Sequence, residues 1–228
     1  MNMSRKQAYR LESFVLVLGL VTLALFLTGC SRVGTLQESG TAQSTAASVP
    51  TQTLKNLQTA FNGESNARAR YLAFAQKAEG EGYGKVASLF RAAAKAEEIH
   101  ANNHSRVISQ LGGTPNAEIK TPEVGDTATN LDAAIKGESY ERDTMYPEFL
   151  KQARQDGSTD AVRTFNLARN AETEHAKLYG DALANLNAWK GDKQIFYVCP
   201  VCGFTTNELN FDKCPSSFTP RDRFLTIS

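Results

Sequence analysis

The chain has 228 residues, 41% of them hydrophobic and 21% charged, which is enough for one good core and a small appendage. Its 25 Lys and Arg stand against 24 Asp and Glu, and a net charge of +1 gives no support for nucleic-acid binding. Composition alone names no chemistry.

The first element in chain order reads as a secretory signal. Arg5, Lys6 and Arg10 precede an apolar run from Phe14 to Leu27, short for a bilayer span. The run ends in LTGC, Leu27 to Cys30, which resembles the lipobox of bacterial lipoproteins. In that family the signal is cut before the cysteine, which then carries the lipid. Residues 1–29 are therefore expected to be a signal peptide and Cys30 the lipidated residue, the alternative being an uncleaved anchor helix with an incidental cysteine. Ser31 stands where an Asp would hint at inner-membrane retention, so the expected address is the periplasmic side, outer membrane before inner. Removing residues 1–29 takes away three Lys and Arg and one acid, leaving 22 against 23. Residues 30–51 are Ser, Thr, Ala, Gln and Gly with almost no large apolar side chain; they cannot bury a core and read as a flexible tether.

From Leu54 onward apolar residues recur at steps of three and four, the period of an amphipathic helix. Four helices are expected, over 52–80, 83–111, 129–156 and 158–189. Gly80, Gly82 and Gly84 break the first pair, Gly157 and Ser158 the second, and Gly112, Gly113, Pro115 and Pro122 open the link between pairs. Short links within pairs and one link of roughly 17 residues between them imply a four-helix bundle over 52–190 with a single long crossover, the ferritin-like connectivity. An internal repeat supports it: GES at 63–65 recurs at 137–139, and AEEIH at 96–100 recurs as AETEH at 171–175.

Acids stand where the core seam calls for apolar residues. In the fourth helix the inward stripe runs Ala161, Phe165, Ala168, Glu172, His175, Tyr179, Ala182; in the second it runs Val86, Phe90, Ala93, Glu97, His100, Val107. Glu64 lies between Phe61 and Tyr71 in the first helix, and Glu138 and Glu141 lie between Leu131 and Met145 in the third. Isolated carboxylates in a core would take up protons or find a counter-charge. No inward Arg or Lys cluster is available, and two metal ions would supply the charge. One Glu from each of two helices plus Glu-x-x-His from each of the other two is a known dimetal carboxylate pattern, suited to iron or manganese.

These stretches, GESNARARYLAFAQKA, AEEIH, GESYERDTMYPEF, AETEHAKLY and a trailing CPVCG, resemble the rubrerythrin family over residues 52–228. The resemblance implies two Fe ions held by Glu64, Glu97, His100, Glu138, Glu141, Glu172 and His175, with Glu141 and His100 exchanging on one iron as the redox state changes. It implies reduction of hydrogen peroxide to water, with an external electron donor that the sequence does not name, in at least a homodimer whose C-terminal modules approach the partner's centre. Tyr71 and Tyr146 match the family's tyrosines beside the metals, the alternative being ordinary core packing. His104 is expected outside the ligand set, either behind the ligands or on the surface, and Trp189 at the end of the bundle. A ferroxidase or iron-binding protein of ferritin type is the second reading, and a metal-free scaffold lipoprotein the third.

About 38 residues remain after Lys190, too few for a core of their own. Residues 191–228 resemble a rubredoxin-like β/knuckle module, with Cys199 and Cys202 as one pair and Cys214 opening the second. Ser217 stands where the fourth cysteine belongs. Three readings stay open: Fe or Zn bound with Ser217 or water as fourth ligand, a degenerate site held by packing, or a Cys199–Cys202 disulfide.

Overall fold

The computed structural model describes residues 51–228; the expected signal peptide, Cys30 and most of the tether lie outside the described residues. A helical hairpin comes first, α1 (Thr51–Gly80) and α2 (Gly84–Gln110), turned by Gly82 in the left-handed region. Residues 111–126 then cross the length of the bundle without helix. They are pinned by a polar row one turn apart on α1: Gln58 donates to the Thr114 carbonyl, Asn62 accepts from the Glu118 amide, and Asn66 bonds both the Glu118 carbonyl and the Lys120 amide. Side-chain amides thus supply the backbone partners that a crossover lying outside any sheet or helix lacks.

The crossover ends where Asp126 caps the next helix by accepting from the Thr129 amide, while Glu81, at the α1–α2 turn, accepts from both the amide and the hydroxyl of Thr127. The expected third helix is not continuous. It is α3 (Thr127–Tyr140), a five-residue π-turn (Glu141–Met145) and α4 (Tyr146–Gln155). A π-turn inserts a residue into the helical register and often marks a functional site; the period of the apolar residues does not reveal it. The last helix, α5 (Thr159–Ala184), ends earlier than expected, and a 3₁₀ turn (Leu186–Trp189) carries the chain away. None of the described helices is long and apolar enough to cross a membrane.

The core has two apolar halves with a polar layer between them. One half gathers Phe74, Leu89, Phe90, Leu131 and Tyr179; the other gathers Leu57, Ile108, Leu150 and Phe165. On α2, Ala87, Ala92, Ala93 and Ala96 are fully buried, and their small side chains let neighbouring elements approach closely.

The C-terminal module is a three-stranded antiparallel sheet, β1 (Phe196–Val198), β2 (Thr205–Thr206) and β3 (Leu225–Ile227), with β1 in the middle. It does not rely on its own core. Phe196 and Val198 are fully buried in the first apolar half of the bundle, and Trp189 stacks on Phe196 with ring centres 6.3 Å apart. The segment leading into the sheet is held by Gly84 donating to the Gly191 carbonyl and Gly191 donating to the Gly82 carbonyl. A Cβ on Gly84 would stand 2.2 Å from that Gly191 oxygen, so only glycine allows this approach.

Candidate metal centre

Four of the five helices, all but α4, deliver acids to one level between the two apolar halves. Glu64 comes from α1, Glu97 and His100 from α2, Glu138 from the end of α3, Glu172 and His175 from α5, and all six are at most 1% exposed. They form two overlapping foursomes. Glu64, Glu97, His100 and Glu172 offer ligand atoms within 4.8 Å of one another, and so do Glu97, Glu138, Glu172 and His175. Glu97 and Glu172 belong to both. The arrangement has two positions, each with one Glu and one His of its own and two shared carboxylates.

The donor atoms crowd against one another. His100 Nδ1 lies 2.9 Å from Glu97 Oε2 and 3.0 Å from Glu172 Oε1; His175 Nδ1 lies 2.8 Å from Glu172 Oε2 and 3.5 Å from Glu97 Oε1. Even so, Glu64 Oε2, Glu97 Oε1, Glu138 Oε2, both Glu172 oxygens and His175 Nδ1 are buried without a properly aligned hydrogen bond. Lone pairs aimed inward without donors are what a pair of cations would satisfy, and carboxylate with imidazole is a donor set for iron or manganese.

Proton affinities without metal follow from burial. Burial, and then the charges of Glu141, Glu97 and Glu172, push Glu64 well above the usual carboxylate range. Glu138 is pushed up to about 8 by burial and then by Glu97 and Glu172. Burial also acts upward on Glu97 and Glu172, but hydrogen bonds and charge from His100 and His175 outweigh it and hold both below normal. The imidazoles respond in kind: burial opposes their charge, yet the carboxylates around them raise both His100 and His175 well above normal.

Glu141 stands apart from both foursomes. It is half-buried at the start of the π-turn, and its Oε1 lies 4.0 Å from where a Cβ on Gly63 of α1 would be. Burial, then Glu138, raises its carboxyl well above normal. The two expected tyrosines do more than pack. Tyr71 donates to Glu138 Oε1 and Tyr146 donates to Glu64 Oε1, each holding the one carboxylate that its position does not share.

Several residues around the centre were not assigned a role from sequence. His104 is fully buried and not on the surface; its Nε2 lies 3.1 Å from the Tyr146 hydroxyl and its Nδ1 3.0 Å from Thr164 Oγ1. Burial, then His100, lowers it to about 3, so it is neutral. Its place one turn after His100 on the same face was the available signal; Thr164, next to Phe165 in the inward stripe, carried none. Tyr179 is buried beside Tyr71 with ring centres 5.6 Å apart, and its hydroxyl has no partner.

The outer nitrogens of both ligand histidines meet the C-terminal module of the same chain. His100 Nε2 lies 2.9 Å from the Cys202 carbonyl, and His175 Nε2 lies 3.1 Å from Thr205 Oγ1 and 3.4 Å from the Gly203 carbonyl. Gly203 permits this approach: a Cβ there would stand 2.3 Å from His100 Nε2, and its φ of +76° is left-handed. Cys199, Cys202 and Cys214 are buried free thiols grouped closely enough to hold a metal, and no disulfide joins them. Ser217 occupies the fourth corner, its Oγ 3.2 Å from Cys199 Sγ and 2.8 Å from Thr219 Oγ1.

Comparison with known proteins agrees with this geometry. The Rubrerythrin family model matches residues 55–183. Nigerythrin of Nitratidesulfovibrio vulgaris is 38% identical over 173 residues, covering 75% of this chain and 85% of that protein. Rubrerythrin-2 of Clostridium acetobutylicum is 39% identical over 174 residues, covering 74% and 92%. The solved structure of fully reduced, all-ferrous nigerythrin superposes with a TM-score of 0.72 at 36% identity, over 76% of this chain and 86% of that one. With two shared carboxylates, two histidines and this degree of likeness, the chain belongs to the rubrerythrin family of diiron oxidoreductases.

Proposed function

We propose that this protein is a peroxidase that reduces hydrogen peroxide to water outside the cytoplasm, tethered to a membrane by lipid on Cys30. The observation that carries the reading is the pair of metal positions sharing Glu97 and Glu172, with their outer histidine nitrogens seated on a cysteine module. Two irons, when bound, supply one electron each and polarise the peroxide oxygens. Glu64 and His100 would hold one, Glu138 and His175 the other, and Glu97 and Glu172 both. Glu141, against Gly63 and close to Glu64 and Glu138, is placed to change its contacts as the charge of the centre changes.

The chain's own part is positioning, dryness and protons. Tyr71 and Tyr146 fix the two unshared carboxylates and carry the nearest hydroxyl protons. The apolar halves above and below keep bulk water from the centre. The bond between His100 Nε2 and the Cys202 carbonyl leaves one hydrogen bond between the cysteine module and a ligand imidazole, a short path for electrons when the module is loaded. With Ser217 in the fourth corner, the module of wild type is a weaker iron site than a four-cysteine one, which puts the main electron supply on an external donor.

Metal loading should release protons in a countable way. In metal-free protein burial and neighbouring charges raise the proton affinities of Glu64, Glu138, Glu141, His100 and His175, and metal ligands must be free of protons, so binding should release protons. Metal affinity therefore falls as pH falls. Calorimetry in two buffers of different ionisation enthalpy gives the count, and a release below two contradicts the ligand assignment.

With excess reductant, anaerobically loaded protein should consume many equivalents of peroxide per diiron centre. Consumption that stops at one equivalent while Fe(II) continues to be oxidised would make it a ferroxidase. Ser217→Cys should gain the intense visible absorption of a four-thiolate iron site; a wild type already showing that spectrum in full contradicts the reading of Ser217. In cells, a fatty-acid label should follow the protein into the membrane fraction and be lost in Cys30→Ala. An unlabelled wild type would remove the lipid tether.

A further inference from the structure

A buried chain of hydrogen bonds leads away from the centre to the surface. Tyr146 donates to Glu64; behind the Tyr146 hydroxyl, at 3.1 Å, is His104 Nε2; behind His104 Nδ1, at 3.0 Å, is Thr164 Oγ1. Thr164, only 5% exposed, is also part of the wall of a surface cavity of about 170 Å³ between α2 and α5, rimmed by Asn103, Arg106, Asp160, Arg163 and Val201. Such a rim is polar enough to hold water. We propose that Thr164, His104 and Tyr146 are a proton relay between this cavity and the diiron centre.

The other side of the centre makes the contrast. Tyr71 holds Glu138 as Tyr146 holds Glu64, but its ring is enclosed by Phe74, Phe90 and Tyr179. The Arg70 guanidinium lies over that ring, 5.6 Å from its centre, but the Tyr179 hydroxyl beyond it has no partner, and among the described residues no hydrogen bond leads on from the Tyr71 hydroxyl except to Glu138. His104 sits among aromatic rings too, 6.0 Å from Tyr146 and 5.4 Å from Phe165. A polar ring in that setting costs stability unless both nitrogens are bonded. Core packing alone would have been served by a leucine.

The relay rests on the peroxidase reading for its proton demand: hydrogen peroxide, two electrons and two protons give two waters. For each proton, a hydronium in the cavity breaks one O–H bond and hands that proton to Thr164 Oγ1, leaving water behind, as Thr164 gives its own proton to His104 Nδ1. His104 gives the Nε2 proton to the Tyr146 oxygen, and Tyr146 gives its proton to Glu64 Oε1, an oxygen of a carboxylate that would hold iron. The imidazole starts and ends neutral, exchanging one tautomer for the other. Hydroxyl rotation and a ring flip restore the starting state. His104 and Thr164 are thus positioning residues that act through Tyr146.

The test is made on full-length, iron-loaded protein with Thr164→Val, which removes the hydroxyl and keeps the shape, Thr164→Ser, which restores it, and His104→Leu. Chemical reduction of the diferric centre adds two negative charges to a buried site and draws protons in, so uptake read with a pH indicator in stopped flow needs no peroxide. Uptake and peroxide turnover should both slow by about tenfold or more in Thr164→Val and in His104→Leu, with wild-type iron content and visible spectrum. Thr164→Ser should behave as wild type, and the double Val/Leu variant should be no slower than His104→Leu alone, as for steps in series. Wild-type uptake in Thr164→Val, or loss of its iron, overturns the relay. If wild type takes up protons on reduction at a rate these variants slow, yet does not turn over peroxide, the relay stands and the peroxidase reading fails.

Discussion

Everything in this molecule is arranged around carboxylates that have no water. Four of them, from four helices, meet between two apolar halves of a bundle and share only two imidazoles. Without metal, burial and mutual repulsion raise the proton affinities of Glu64 and Glu138, and the surrounding carboxylates raise those of both histidines. That is a poor resting state for a core, because it leaves buried oxygens without donors. The four-helix arrangement holds these groups together against their mutual repulsion, and the cost is recovered when cations enter.

Much of this was legible because helical spacing is rigid. Glu97 and His100, like Glu172 and His175, are three apart, and three residues along a helix return to one face; their position inside an apolar stripe then fixes that face as the core. The repeat of GES and of Glu-x-x-His placed the second hairpin by analogy with the first. What the sequence concealed depends on single-residue shifts or on distant contacts. A π-turn leaves no mark on periodicity, so the offset of Glu141 from both metal positions was out of reach. Thr164 is one polar residue among many until a fold brings its hydroxyl to His104, 60 positions away.

The cysteine module shows a geometry outlasting its ideal residues. In the first turn, CPVCG, Gly203 takes a φ of +76°; in the second, CPSSF, Phe218 takes a φ of +59° with its side chain 73% exposed. A phenylalanine accepts that conformation only at a cost and where its surroundings impose it. Here they do: Cys214 accepts from the Phe218 amide and donates its own amide to the Thr219 carbonyl, and Ser217 bonds Thr219. The second turn therefore keeps the shape of the first although both the cysteine and the glycine are gone. The burial of Phe196 and Val198 in the bundle explains how the module persists without a full metal knot.

That docking also decides which nitrogen of each ligand histidine carries hydrogen. A backbone carbonyl can only accept, so the Cys202 oxygen requires His100 to present Nε2–H. Thr205, whose hydroxyl donates to the Gly203 carbonyl, accepts from His175 in the same way. In each neutral ring the bare lone pair is then on Nδ1, the nitrogen that faces the carboxylates. The module thus selects the metal-binding tautomer of both imidazoles through its backbone, a task to which the identity of residue 217 is irrelevant.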